Sequence, residues 1–322
     1  MTALQIDADE VMVTLGAELG KPDRTWAVRS ALWVALYCVL GLFSTGARAE
    51  TTTIPVFVSI LPLKHFVERV GGEQVRATVM VGPGQNPHTY EPSPKQVVAL
   101  AEAKLFFRIG ASFEDAWMAR IVAANPMLRV VDVREGVVLR EFSEETAHAH
   151  SHGEGIEALP EWIDPHIWTD PRRVKVIAGN IRQALIAVDP AHRSVYDSNY
   201  AEFIDELDRL DEAIRGLLEG KKVRRFMVFH PAWGYFADAY GLLQIAIELA
   251  GKEPGARGLA RLIDEAKAQG IRVIFVQPQF SRRHAQTIAQ AIGGKVVAVD
   301  PLAENYAENL LLVANSIAEA VE

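Results

Sequence analysis

Cysteine is nearly absent. The 322-residue chain has one, Cys38, and it lies in an N-terminal stretch that reads as a removable leader. Beyond that stretch disulfides and thiolate ligands are excluded, so binding of a soft or borderline metal has to rest on imidazole. Positive charge is also in short supply. With 33 Lys and Arg against 41 Asp and Glu the net charge is −8, which leaves no broad cationic footprint for a nucleic acid. No HExxH occurs, no glycine-rich phosphate loop precedes a helix, and no serine or cysteine nucleophile has a recognisable setting. Flexible Gly/Ser linkers are missing too. What is there is an ordinary globular composition, 49% hydrophobic and 23% charged, on a chain long enough for two domains and a sizeable core.

The first 49 residues have the layout of a secretory signal peptide. Lys21, Arg24 and Arg29 precede the apolar run ALWVALYCVLGLF, and Ala47-Arg48-Ala49 supplies small residues for cleavage. The apolar run falls short of the roughly 20 residues that span a bilayer. Export to the periplasm with cleavage near Ala49 is therefore expected. Tyr37 before Cys38 is a poor match to a lipoprotein processing site. The leader is long, which leaves a start downstream of Met1 open.

Beyond the leader, β-rich runs alternate with amphipathic helical stretches. IPVFVSI (54–60), VRATVMV (75–81), KLFFRIG (104–110) and LRVVDV (128–133) read as buried strands, with helical spacing at 62–70 and 93–103. A second set runs RRFMVFH (224–230), LQIAIEL (243–249), IRVIFVQ (271–277) and KVVAVD (295–300), with helices at 256–269, 281–293 and 304–321. This predicts an α/β protein of two lobes, each with a mostly parallel sheet flanked by helices. The N-terminal lobe covers 50–189 and the C-terminal lobe 220–322. Between them, 190–219 has apolar residues at three- and four-residue steps (Phe203, Leu207, Leu210, Ile214, Leu217) and predicts one long rigid linking helix of roughly 40 Å. The segment 144–155, EETAHAHSHGEG, has no apolar side chain larger than alanine and is expected to be a solvated loop.

The nine histidines divide. His148, His150 and His152 lie in that loop, and His65, His192 and His284 sit in helical patterns beside charges. The other three adjoin proline: Pro87-His88, Pro165-His166 and His230-Pro231. Proline fixes φ, so each imidazole is carried on a stiffened loop. His88 and His230 follow strand-like runs, and ligands of open α/β sheets gather beyond the carboxyl ends of strands. Asp300-Pro301 repeats the pattern after KVVAVD. Taken singly, a His-Pro or Asp-Pro pair is commonly just a turn. Taken together, three neutral imidazoles and a carboxylate would make a tetrahedral Zn²⁺ shell. Separations of roughly 60–80 residues exclude a zinc finger and would draw distant parts of both lobes to one ion.

The stretches NPHTYEPSPKQVVALAEAKLFFRIGASFEDAW, DPHIWTDPRRV, FHPAWGYFADAYGL and VVAVDPLAENY together resemble the zinc-binding periplasmic metal-ion receptors of ABC importers, over about residues 54–320 and in the family's order. The resemblance implies lobes joined by a rigid helix, and His88 and His166 as ligands from the first lobe with His230 from the second. It implies Asp300 at a position that completes the shell in some members, where others use water or another carboxylate. It implies Zn²⁺ as transported cargo rather than resident cofactor, and a membrane permease with a cytoplasmic ATPase as partner. A monomer is expected, with no nucleic-acid partner. The HAHSH run stands where zinc members carry a longer histidine-rich loop.

Manganese members of that family are similar but place a carboxylate at the third position, where this chain has His230. Three imidazoles rank Zn²⁺ first and also accept Cu²⁺, Co²⁺ or Ni²⁺. Two other classes stand beside the receptor reading: a zinc hydrolase with Glu91 or Glu248 as base, and an adhesive or structural surface protein. Trp162, Trp168 and Trp233 lie near the histidine segments and read equally as walls that exclude water or as core aromatics.

Overall fold

The computed structural model describes residues 53–141, 163–221, 224–248 and 253–319. The leader, the 144–155 segment with its three histidines, and Trp162 lie outside the described residues.

The first sheet comprises β1 (Ile54–Ile60), β2 (Val75–Val81), β3 (Leu105–Arg108) and β4 (Arg129–Asp132), in spatial order β2-β1-β3-β4. All its pairings are parallel. The second repeats the arrangement with β5 (Arg225–Val228), β6 (Leu243–Ala246), β7 (Val273–Val276) and β8 (Lys295–Ala298), in order β6-β5-β7-β8, again parallel. Strand chemistry follows position. The interior strand β1, IPVFVSI, is buried at six of its seven residues, whereas edge strand β2, VRATVMV, is open at Arg76 and Thr78. In both sheets the winding reverses beside the first strand, which makes the carboxyl ends of β1/β3 and β5/β7 the switch points where ligands collect.

The helices of the first sheet are α1 (Leu61–Gly71), α2 (Pro94–Leu100), α3 (Ser112–Ala124) and α4 (Pro171–Val188). The long helix α5 (Arg193–Leu218) has 26 residues, entered by a 3-10 turn at Pro190–His192. The second sheet carries α6 (Gly234–Tyr240), α7 (Ala256–Ala268), α8 (Arg283–Ile292) and α9 (Tyr306–Glu319). Sequence periodicity anticipates α1, α2, α5, α7, α8 and α9 within a few residues. It does not anticipate α3, α4 and α6. Helix α3 buries only Phe113, Glu114 and Ile121 and so shows no continuous apolar stripe. Helix α6 has seven residues, too few for a periodic signal. Helix α4 does announce itself, with Asp170 capping the Arg172 amide and Pro171 in the first turn.

Helix α5 is more than a spacer. It buries Tyr196, Phe203, Leu207, Leu210, Ile214 and Leu218 and packs against α1, α4 and α9. Leu217 is partly buried against the same core. One apolar core is continuous from the first sheet through α5 to α9 and to Phe226, Val228, Val273 and Phe275 of the second sheet. A second core, built on Met227, Phe229, Ile274, Val276 and Ile288, fills the other face of that sheet. Thr52–Glu322 is accordingly one compact unit. A polar latch crosses between its halves: the Trp168 indole Nε1 donates to Pro301 O at 2.7 Å and the Tyr306 hydroxyl donates to Trp168 O at 2.8 Å.

Candidate metal centre

His88 rides on the loop after β2. An Asx turn begins it, with Asn86 Oδ1 accepting from His88 N at 2.9 Å. Its far end is tied by Gln96 in the first turn of α2. Gln96 Oε1 accepts from Tyr90 Oη at 2.7 Å and from Ser93 N at 3.0 Å, while its Nε2 donates to Met80 O at 2.9 Å. Ser93 and Gln96 form a capping box with Pro94 at the helix start. The prolines around His88 therefore end a strand, shape a turn and start a helix, and between them the imidazole has little freedom.

His166 precedes a 3-10 turn, Ile167–Thr169, and is 5% exposed. Asp164, two residues earlier, accepts at one oxygen from His166 N at 3.0 Å and from its ring Nδ1 at 2.8 Å. His230 lies just beyond β5, beside β7. Gln277 clamps its backbone, accepting from His230 N at 3.3 Å and donating to His230 O at 2.8 Å. Phe280 stacks on its ring at 5.0 Å between centroids.

These loops bring the three imidazoles together. One ring nitrogen from each of His88, His166 and His230 lies within 4.8 Å of the others. The Nε2 atoms of His88 and His230 are 3.2 Å apart. Each ring has an outer partner for Nδ1: Asp164 for His166, Glu248 Oε1 at 3.4 Å for His230, and Ser112 Oγ at 3.4 Å for His88. A carboxylate facing Nδ1 fixes the proton there and leaves Nε2 as a lone pair aimed inward, the usual support for a metal-binding imidazole. Without metal, His88 can supply the proton between the two close Nε2 atoms, because Ser112 can donate to its Nδ1.

Electrostatics favour the neutral form of His88 and His166. Burial of its ring, and then the charges His230 and His166 would carry, push His88 down to about 3, a shift moderated by solvent on the open side of this exposed residue. His166 is also lowered, by burial first, against the opposing pull of Asp164. For Asp164 burial acts in the opposite sense, but the hydrogen bonds from His166 and the charge of Arg140 hold the carboxyl below its usual range. Neutral imidazoles are the form that binds metal. They border a cavity of about 30 Å³, walled by Pro87, Pro165, Trp168, Gln279, Phe280 and Leu302. That volume holds an ion or about one water.

Asp300 is not brought into this cluster. It lies beyond β8, and its Oδ1 accepts from Gln279 Nε2 and from Leu302 N, both at 3.0 Å. Trp168 lines the cavity, 5.2 Å from His166 between ring centroids, whereas Trp233 is fully buried against Phe236 as a core aromatic. The remaining described histidines serve elsewhere. His65 stacks on Tyr306, His192 bonds Asp189 at 2.7 Å, and His284 faces Glu253 at 3.1 Å. The Nδ1 partners escaped sequence reasoning, although Asp164 was in view within DPHIW. Ser112 and Glu248 are local to their histidines only once the strands are paired.

Comparison with known proteins agrees with this architecture. The profile of the family ZnuA (zinc-uptake complex component A, periplasmic) matches residues 56–320. The zinc-binding lipoprotein AdcA of Streptococcus pneumoniae is 28% identical over 277 residues, which are 84% of this chain and 55% of AdcA. This chain thus spans about half the length of that relative. The high-affinity zinc uptake system protein ZnuA of Bacillus subtilis is 29% identical over 286 residues, 85% of this chain and 88% of that protein. A crystal structure of ZnuA superposes with a TM-score of 0.77 at 39% identity, covering 84% of this chain and all of that one. The chain belongs to the ZnuA family of periplasmic zinc-uptake components.

Proposed function

We propose that this chain is an exported receptor that captures Zn²⁺ outside the cytoplasm and delivers it to the membrane permease of an ABC importer, whose ATPase works from the cytoplasmic side. One observation carries the reading: three imidazoles, held on loops of two different sheets, converge on a cavity the size of an ion. His88, His166 and His230 bind the ion. Asp300 or water takes the fourth position; in Asp300 only Oδ1 is engaged by Gln279 and Leu302. Nitrogen donors favour Zn²⁺ over Mn²⁺, which prefers oxygen. The mature protein acts as a periplasmic monomer after cleavage near Ala49.

Capture rather than catalysis suits the site. A zinc hydrolase needs an open metal position facing a cleft that admits its substrate, whereas the space these histidines border, about 30 Å³, is on the scale of an ion. Calorimetry of the metal-free protein with Zn²⁺ and Mn²⁺ in parallel tests the function. One tight zinc site with weaker manganese binding is expected. Tighter manganese, or ester, phosphate or peptide hydrolysis that tracks bound zinc, would overturn it.

A further inference from the structure

Asp164, which orients His166, has no exposed surface in its side chain. A buried carboxylate needs a compensating charge and filled hydrogen-bond positions. Its Oδ1 is used by His166. Its Oδ2 accepts from Arg140 Nη1 at 3.0 Å, and among the described residues Arg140 is the only Lys or Arg paired with it. The same guanidinium donates through Nε to Asp238 Oδ2 on α6 at 2.9 Å. The two backbones are joined as well: Asp164 N donates to Arg140 O at 2.9 Å, the Tyr235 hydroxyl donates to Asp164 O at 2.8 Å, and Arg140 N donates to that hydroxyl oxygen at 2.9 Å. Gly234, first residue of α6, leaves the space for this junction. A Cβ there would stand 2.7 Å from Asp164 Oδ2 and closer still to the guanidinium.

We propose that Arg140 is a positioning residue of the metal centre, forked between Asp164 and Asp238 in the space left by Gly234, so that it fixes the Asp164 carboxylate, the aim of His166 Nε2, and the approach of α6 to the His166 loop. The inference rests on the three histidines being the metal site. Arginine suits the task because its planar fork reaches two carboxylates through different nitrogens, where lysine offers a single point charge.

The test compares Arg140→Gln, Arg140→Lys and Gly234→Ala with the unaltered protein. Gly234→Ala removes no polar group and displaces the guanidinium. Zinc calorimetry should show a loss of about 10- to 100-fold for Arg140→Gln and Gly234→Ala, with partial recovery in Arg140→Lys. Cobalt-loaded protein should show altered visible bands in the same two variants, a change that loss of stability alone does not produce. In the metal-free protein the His166 Nδ1 proton, followed by NMR, should shift or exchange faster. Wild-type affinity and spectrum in Gly234→Ala would overturn the inference, and so would tighter zinc binding in Arg140→Gln, the result expected if the guanidinium only repels the ion. If Arg140→Gln does not fold, Gly234→Ala decides alone. If the unaltered protein fails to bind zinc, the metal-site reading fails by itself, and the His166 proton still reports whether Arg140 holds Asp164.

Discussion

His88 Nε2 stands 3.2 Å from His230 Nε2, and the two residues belong to loops of different sheets. Two lone pairs at that distance repel unless a proton or a cation lies between them. The protein therefore holds these two imidazoles at close quarters on stiff loops, and a cation that replaces the proton would need only small movements to be bound.

Substitution should separate the three clustered histidines from every other histidine. His88→Ala, His166→Ala and His230→Ala should each weaken zinc binding by more than the roughly 100-fold typical of losing an outer partner. His192→Ala and deletion of 146–155 should leave the main site intact. Calorimetric stoichiometry and affinity check this, and a lost primary site in the deletion would mean that the segment supplies a ligand.

Stability of the metal-free protein should fall in acid. His88 and His166 are lowered in the folded state, while unfolded histidine titrates near 6.5. Below about 6.5 the unfolded chain binds more protons than the folded one, so stability is lost as pH drops from there towards the folded values. Tm should be lower at about pH 5 than at about pH 7.5, and the difference should shrink in His88→Gln. Zinc affinity should follow the same direction, falling as protons compete for the imidazoles.

The latch beside His166 should contribute measurably. Trp168→Phe strands the buried carbonyl of Pro301, and Tyr306→Phe does the same to that of Trp168. Each should cost about 1–3 kcal/mol in denaturant unfolding of the metal-free protein.

Glu114 should be more costly to remove. Its buried carboxylate accepts from Ile109 N at 2.9 Å, Gly110 N at 2.8 Å and Arg108 Nε at 3.1 Å, and so holds the loop that leads to Ser112. Glu114→Ala should destabilise by about 3–5 kcal/mol, which equilibrium unfolding would register. Gln at this position should recover part of the loss.

Much of this molecule is legible in its sequence because strands and ligand loops are local features. IPVFVSI and VRATVMV match β1 and β2 end to end, and two of the three proline-flanked histidines, His88 and His230, lie on loops that follow strands. The shorter strands are overextended: KLFFRIG and RRFMVFH run into loop residues that stay apolar because they too are buried, such as Ile109 and Phe229. Helix α3 is hidden because it has no continuous apolar stripe, and α6 because seven residues are too few to show a period. Asp300 shares the strand-end pattern of the histidines, but its side chain caps the following turn through Leu302 N. Pattern locates a residue at the rim of a sheet and leaves open where its side chain points. Arg140 and Gly234 carry no local signature, since their roles depend on chain segments that meet only in the fold.

X-ray absorption at the zinc edge of the protein loaded with one equivalent of Zn²⁺ tests the central claim most directly. Three imidazole nitrogens at about 2.0–2.1 Å, reduced to two in His230→Ala, are the predicted result. An oxygen-dominated shell, or one unchanged by that substitution, would contradict it.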